Sequence, residues 1–318
     1  MIVFETQFKI PLQWSFSRVK IFQECQRKYF FQHVVPFLPE DLLDPALRRN
    51  ILFLRRLTNR HLLLGNIIHQ TISEILDTLN GLEIQSLNFW VNKAWMNFQN
   101  RVLFSRKEKY WIESPRHPDY TILFEDVYQL PLHDEILRHM YLKLKKALRN
   151  FLHSPVLNNL KQNHKIILLE KEKLDTFQLQ QFPVWVKLDL LFRDQNNLHT
   201  LVDWKLTRYH SEEDLKQLAF YGLYVQSKYF NNHLGALKLL NFYLIDQEQY
   251  AFDFTEDLAQ KAKNYFQQTL NSLQSWHEYF EQNSSDTLVP PKQPSEKCHF
   301  CNFKKVCRPN HCKFVSNF

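Results

Sequence analysis

The chain reads as an α/β protein whose strands lie in its second half, and three patterns carry that reading. Apolar residues alternate over 184–190 and gather in the stretches 166–174, 198–206, 236–245 and 250–254, as strands packed into a sheet require. Apolar residues spaced three and four apart mark helices before, between and after those runs. Four of the five cysteines fall in the last 21 residues, which sets off a small appended module.

Length and composition bound the rest. With 318 residues, 44% hydrophobic and 15% aromatic, the chain has the material for a large buried core. A net charge of +7 fits a polyanionic partner without requiring one. The opening MIVFETQFKIPLQW lacks the charged lead, apolar core and small-residue site of a signal peptide, and nowhere do about 18 apolar residues run together, so no membrane span is expected. Cysteines that are odd in number and crowded at one end point to a reducing cytoplasm with thiols acting as ligands.

In chain order, Ser15 or Ser17 caps a first helix with Val19, Phe22, Tyr29 and Phe30 on its apolar face. Cys25 sits inside that helix, where alone it reads as a small buried hydrophobe. A second helical region spans 46–80, broken or bent near Asn59 and Gly65. His69 follows Gly65 by one turn, beside the stripe Ile68, Ile72 and Ile75, and alone reads as a packing residue. The stretch 105–128, with Pro115 and Pro118, is expected to be a long loop or a surface insertion.

Residues 133–152 form an amphipathic helix with Ile136, Met140, Leu144, Leu148 and Leu152 on one stripe. Arg138, Lys143, Lys145, Lys146 and Arg149 lie elsewhere around it, as a solvated basic face or, alternatively, one that meets phosphates. A strand at 166–174 carries Glu170 and Glu172. Val184, Val186, Leu188 and Leu190 then alternate with Lys187 and Asp189; turn residues Asp194, Asn196 and Asn197 follow; and the next strand carries Asp203 and Lys205 two apart. Residues two apart on a strand share a face, so a hairpin collects Asp189, Asp203 and Lys205 on one side. After a polar link comes a helix with Gln217 and Tyr221 on one face, then two more strands. Thr255 caps a long helix striped by Leu258, Ala262, Phe266, Leu270 and Leu273. A polar, proline-containing segment leads to the terminal module, and no solenoid repeat is present.

Two constellations carry chemistry. Hard divalent cations such as Mg²⁺ or Mn²⁺ prefer oxygen ligands, and Asp189 with Asp203 can hold one or two while leaving room for water and phosphate oxygens. Lys205 beside them can orient or help deprotonate an attacking water and offset phosphoryl charge. An Asp-x-Lys pair alone is a weak signal; its apolar flanks strengthen it, because buried charges need a metal or a partner. In the tail, Cys298, Cys301 and Cys307 form C-x2-C-x5-C, with Cys312 beyond. Such a set binds zinc, completed locally by Cys312, His299 or His311, or an iron-sulfur cluster that draws a fourth thiolate from the distant Cys25.

Taken together and in order, SFSRVKIFQECQRKYFF, Gly65 with His69, Asp189, the Asp203-Trp204-Lys205 run, Gln217 with Tyr221 and the terminal C-x2-C-x5-C resemble the RecB-like branch of the PD-(D/E)XK nucleases. The likeness is to the iron-sulfur form found in AddB-type domains and CRISPR-associated RecB-like nucleases. It implies a three-layer α/β/α restriction-endonuclease-like core with a mixed central sheet. A helical part over 1–160, a nuclease core over 161–283 and a cysteine module over 284–318, packed back on the N-terminus, would follow. The resemblance implies that His69, Asp189 and Asp203 bind the catalytic metal, with the main-chain carbonyl of Trp204 as a further ligand. Lys205 would act on the water, Gln217 and Tyr221 would support the site or touch the substrate backbone, and Cys25, Cys298, Cys301 and Cys307 would hold a 4Fe-4S cluster.

Two departures stand out: Val186 occupies the place of a family glycine, and Cys312 has no role in the pattern. No G-x-x-x-x-G-K-[ST] loop is present, so any ATP-driven unwinding falls to another chain. The expectation is a metal-dependent nuclease of single-stranded DNA or DNA ends in repair, recombination or CRISPR-type processing, with a helicase, CRISPR or repair protein as partner. The rivals are a nuclease-fold DNA-binding subunit that no longer cuts, and a zinc-binding interaction protein.

Overall fold

The computed structural model describes residues 9–79, 83–107, 111, 116–207, 211–282, 290 and 293–307. The chain forms two compact units interleaved along the sequence: Met1–Leu57, Gln178–Trp185 and Lys263–Phe318 make one, and Thr58–Phe177 with Val186–Ala262 the other.

The second unit is built on the sheet. Strands β2 (Ile167–Leu179), β3 (Phe182–Arg193), β4 (His199–Lys205), β5 (Leu237–Tyr243) and β6 (Glu248–Asp253) fall on the stretches expected as strands, with alternating burial over Val184–Leu188 of β3. β2 and β4 both pair with β3, β3–β4 and β5–β6 run antiparallel, and β4–β5 runs parallel, so the sheet is mixed. Helix α4 (Arg60–Thr78), α5 (Leu87–Ser105), α7 (Asp134–Leu152) and α8 (Pro155–Gln162) share one apolar core with Leu190, Phe192, Val202, Trp204, Leu240 and Phe242. The intervening Leu191, Leu201 and Leu239 are buried as well, so both faces of the sheet are covered. Helix α9 (Glu212–Tyr229), entered through a Ser211/Asp214 capping box, packs on β4 and β5. Gly222 lets α9 approach closely, since a Cβ there would lie 2.6 Å from the Phe254 ring.

The first unit joins the early helices to the end of the chain. A two-residue strand, β1 (Trp14–Ser15), pairs in parallel with Val184 and Trp185 at the start of β3. Helices α1 (Phe16–Glu24), α2 (Gln26–Tyr29) and α3 (Pro45–Leu54) follow, with a π turn at Phe30–Val34. An aromatic cluster fastens them to the last turns of α10 (Glu256–Gln282): Phe22 and Tyr29 meet Trp276 edge-on, and Phe30 packs on Phe280. Phe303 of the cysteine module packs on Phe31.

Several elements differ from the sequence reading. Cys25 is not inside a helix but extended (φ −166°) between α1 and α2, because the apolar stripe runs on while the backbone breaks. The second helical region breaks near Asn59, which caps α4 through His61 N–H and Leu62 N–H; the helix then runs unbroken through Gly65. Part of 105–128 is not surface: Ile122, Leu123 and Phe124 are buried, Thr58 N–H donates to the Ile122 carbonyl, and α6 (Phe124–Val127) follows. Residues 108–110, 112–115, 208–210 and 308–318 lie outside the described residues, and with them His311 and Cys312.

Candidate active site

Antiparallel register sets the site. Leu190 pairs with Val202, so the next step of the ladder places Asp189 opposite Asp203. Asp189 turns one oxygen, Oδ2, to the Trp204 backbone N–H at 2.7 Å and the other, Oδ1, to His69 Nδ1 at 3.2 Å. His69 is presented by α4 and also reaches Glu172 Oε1 at 3.1 Å. Ligand atoms of His69, Glu172 and Asp189 lie within 4.8 Å of one another, the spacing one cation needs. One imidazole and two carboxylates form a donor set that suits a hard divalent ion, so the residues fit Mg²⁺ or Mn²⁺.

Glu172 is the member that sequence reasoning missed. Its φ of +44° is in the left-handed region, which is costly for a residue with a Cβ. Alternation along β2 cannot reveal such a kink. Glu172 Oε2 also meets Lys187 at 2.6 Å, the half-exposed cation two residues before Asp189.

The charges are strongly coupled. Burial opposes a charge on His69, but the Asp189 carboxylate, helped by Glu172, outweighs it and lifts the imidazole to about 10. Burial pushes Asp203 up to about 6, against the pull of Lys205 and with a push from the negative Asp189. Two carboxylates crowded in this way are relieved by a bound cation. Burial lowers and Asp203 raises the Lys205 ammonium, with a net rise.

Lys205 is the hub of a second network. Its Nζ lies 2.7 Å from Asp203 Oδ2 and 3.5 Å from Asp214 Oδ1, and donates to Gln217 Oε1 at 2.8 Å. Gln217 Nε2 in turn donates to the Tyr221 hydroxyl at 2.6 Å. Gln217 and Tyr221 thus stand in line behind Lys205. Asp214 was not singled out from the sequence, although Ser211-x-x-Asp214 is a readable helix-start signal. Its carboxylate also accepts from the Tyr243 hydroxyl at 2.8 Å, tying the start of α9, the end of β5 and Lys205 together.

Trp204 anchors the strand between the two charged residues, its ring buried edge-on to Phe151 and Phe242. Val186 is buried at 3% exposure, alternating with the exposed Lys187.

In the first unit Cys25, Cys298, Cys301 and Cys307 are unpaired by disulfides and line one cavity of about 320 Å³, together with His299. The extended backbone at Cys25 is what turns its thiol out of the helical stripe. Arg27 donates to Cys307 Sγ at 3.7 Å and the Ser295 N–H to Cys298 Sγ at 3.5 Å. Burial pushes the Cys301 thiol up. Four thiols around one space fit a thiophilic metal or cluster.

No helix among the described residues is long and apolar enough to cross a membrane. The family model of the PD-(D/E)XK nuclease superfamily matches residues 13–308. The central mixed sheet with its helices is accordingly a restriction-endonuclease-like fold. No curated protein matches. Among solved structures, the chain is similar to the crystal structure of SSO0001, at 14% identity over 76% of this chain and 94% of that one, with a TM-score of 0.29.

Proposed function

Because the chain belongs to the PD-(D/E)XK nuclease superfamily, whose members are nuclease hydrolases, we propose that it is a metal-dependent deoxyribonuclease acting on single-stranded DNA or DNA ends. Repair, recombination or CRISPR-type DNA processing is the setting such an activity fits. The observation that carries the reading is the grouping of His69, Glu172 and Asp189 around one point, with Asp203 and Lys205 beside it.

In this reading His69, Asp189 and Asp203 hold Mg²⁺ or Mn²⁺, with Glu172 and the Trp204 carbonyl as further ligands. Such an ion supplies Lewis-acid charge to the phosphate and lowers the pKa of a bound water. Lys205 carries an ammonium that orients the water and offsets charge on the phosphoryl oxygens. Gln217 fixes that ammonium's direction, and Tyr221 fixes Gln217. Asp214 is a positioning residue. Loss of one charged hydrogen-bond partner costs about 1.5–3 kcal/mol, so Asp214→Asn should slow cleavage roughly 10- to 100-fold. The effect should fall on kcat rather than KM, with Asp214→Glu partly restoring the rate.

We propose a 4Fe-4S cluster on Cys25, Cys298, Cys301 and Cys307. Four thiols lining one cavity, with Cys25 joining the three of the C-x2-C-x5-C run, support this ligand set.

The activity is tested by incubating the protein with end-labelled single-stranded, duplex and circular DNA in Mg²⁺, Mn²⁺ or EDTA. Metal-dependent cleavage of single strands is expected and should vanish in EDTA. DNA left intact in every metal, while still bound, overturns the reading in favour of a subunit that no longer cuts.

A further inference from the structure

Helix α7 carries a face that nothing in the site uses. Met140, Leu144, Ala147, Leu148 and Phe151 are its buried stripe. At about 100° per residue, Arg149, Arg138, Lys145, Lys146, His139 and Lys143 fall in one arc of about 160° on the opposite side. Residues 136–149 contain no acid at all. Arg138, Lys145, Lys146 and Arg149 make no ion pair with any described residue, whereas elsewhere in this unit lysines such as Lys171, Lys216, Lys228 and Lys261 sit against carboxylates. An unbalanced row of cations on a rigid helix is costly through self-repulsion, and a polyanion lying along it would offset that cost.

The row also has a direction. Helix α7 packs on α4, whose first turn carries His61 and Arg60, the latter paired with Glu125 at 3.2 Å. The His61 imidazole is lowered by burial and by the nearby charges of Arg60, Lys143 and His139, which marks these groups as neighbours. His69 lies eight residues further along α4, about 12 Å at 1.5 Å per residue. One edge of the cationic face, at His139 and Lys143, therefore lies beside the first turn of the helix that carries His69.

We propose that the exposed face of α7 is the track along which the phosphates of a single DNA strand approach the site. The inference rests on the nuclease reading for its destination, but not for the binding itself. Contacts of this kind are made to the backbone, so the track is indifferent to base sequence.

The test is a fourfold variant, Arg138→Gln, Lys145→Gln, Lys146→Gln and Arg149→Gln, which changes side chains at the surface of one helix. Binding of a fluorescent oligothymidine is followed by anisotropy in EDTA at several salt concentrations, with metal-dependent cleavage by the unaltered protein measured in parallel. A control variant, Lys216→Gln with Lys261→Gln, removes paired cations elsewhere.

Single strands contribute about 0.7 to the log–log salt slope per phosphate contact, so the slope should fall by about 3 in the fourfold variant. Affinity near 0.1 M salt should drop at least about 10-fold, while the control stays within about twofold. Affinity and slope equal to those of the unaltered protein, or a loss no larger than the control's, overturn the track. If the unaltered protein binds but never cuts and the fourfold variant loses binding, the track stands and the nuclease reading falls. Normal cutting with unchanged binding in the variant does the reverse.

Discussion

Lys205→Met is expected to reduce metal-dependent DNA cleavage by at least about 1,000-fold, on the scale seen when a charge-stabilising donor is removed from a transition state. The lysine is a hub, touching Asp203, Gln217 and Asp214, and its loss silences three aligned groups together. Removing the ammonium also leaves the buried Asp203 carboxylate with one less neutralising charge, so the carboxyl rises further above its ordinary value. The companion change, Asp203→Asn, should be equally silent in cleavage yet should not unfold the chain, because it removes a crowded charge. Binding of oligothymidine in EDTA and the thermal midpoint check that both proteins remain folded. Cleavage by either at more than about a tenth of the unaltered rate would sink the assignment of roles.

Cys25→Ala is expected to abolish iron and sulfide binding in protein purified without oxygen, against about four irons per chain in the unaltered protein. Its other effect should be on stability. Structural metal sites contribute folding free energy directly, and the thiols here join α1 and α2 to the last described residues. A loss of about 5 kcal/mol corresponds to roughly 10 °C in thermal midpoint for a protein of this size. The iron-free forms of the two proteins should melt together, which separates a lost ligand from a damaged helix junction. Colourless protein with one zinc per chain, unaffected by the change, overturns the cluster.

The residues that were legible before the structure share a feature: their roles follow from local periodicity. Asp189, Asp203 and Lys205 are readable as one face because a hairpin obeys a period of two, and the ladder extended one step beyond Leu190–Val202 sets Asp189 opposite Asp203. Helix α7 and its stripe were readable because the period of 3.6 holds over five turns. What escaped depends on departures from period. Glu172 reaches His69 only through a left-handed residue in mid-strand, and Cys25 faces its cavity only because one residue between two helices is extended. Neither departure changes the amino-acid pattern around it. Gly65 erred the other way: it looks like a break, yet α4 passes through it, because a glycine inside a long, well-capped helix costs only about 1 kcal/mol.

The interleaving of the two units has a consequence for how the protein is made. The unit bearing the thiols takes its pieces from Met1–Leu57, Gln178–Trp185 and Lys263–Phe318, so Cys25 emerges 298 − 25 = 273 residues before the next cysteine of the set. At about 5–20 residues per second, the first thiol waits some tens of seconds for its partners. All of Thr58–Phe177 and Val186–Ala262, with the candidate active site, is synthesised in that interval. A chain that stalls before Cys298 therefore carries every proposed catalytic side chain but cannot close its thiol site. In the reading proposed above, a 4Fe-4S cluster could be held only once Cys298, Cys301 and Cys307 have joined Cys25.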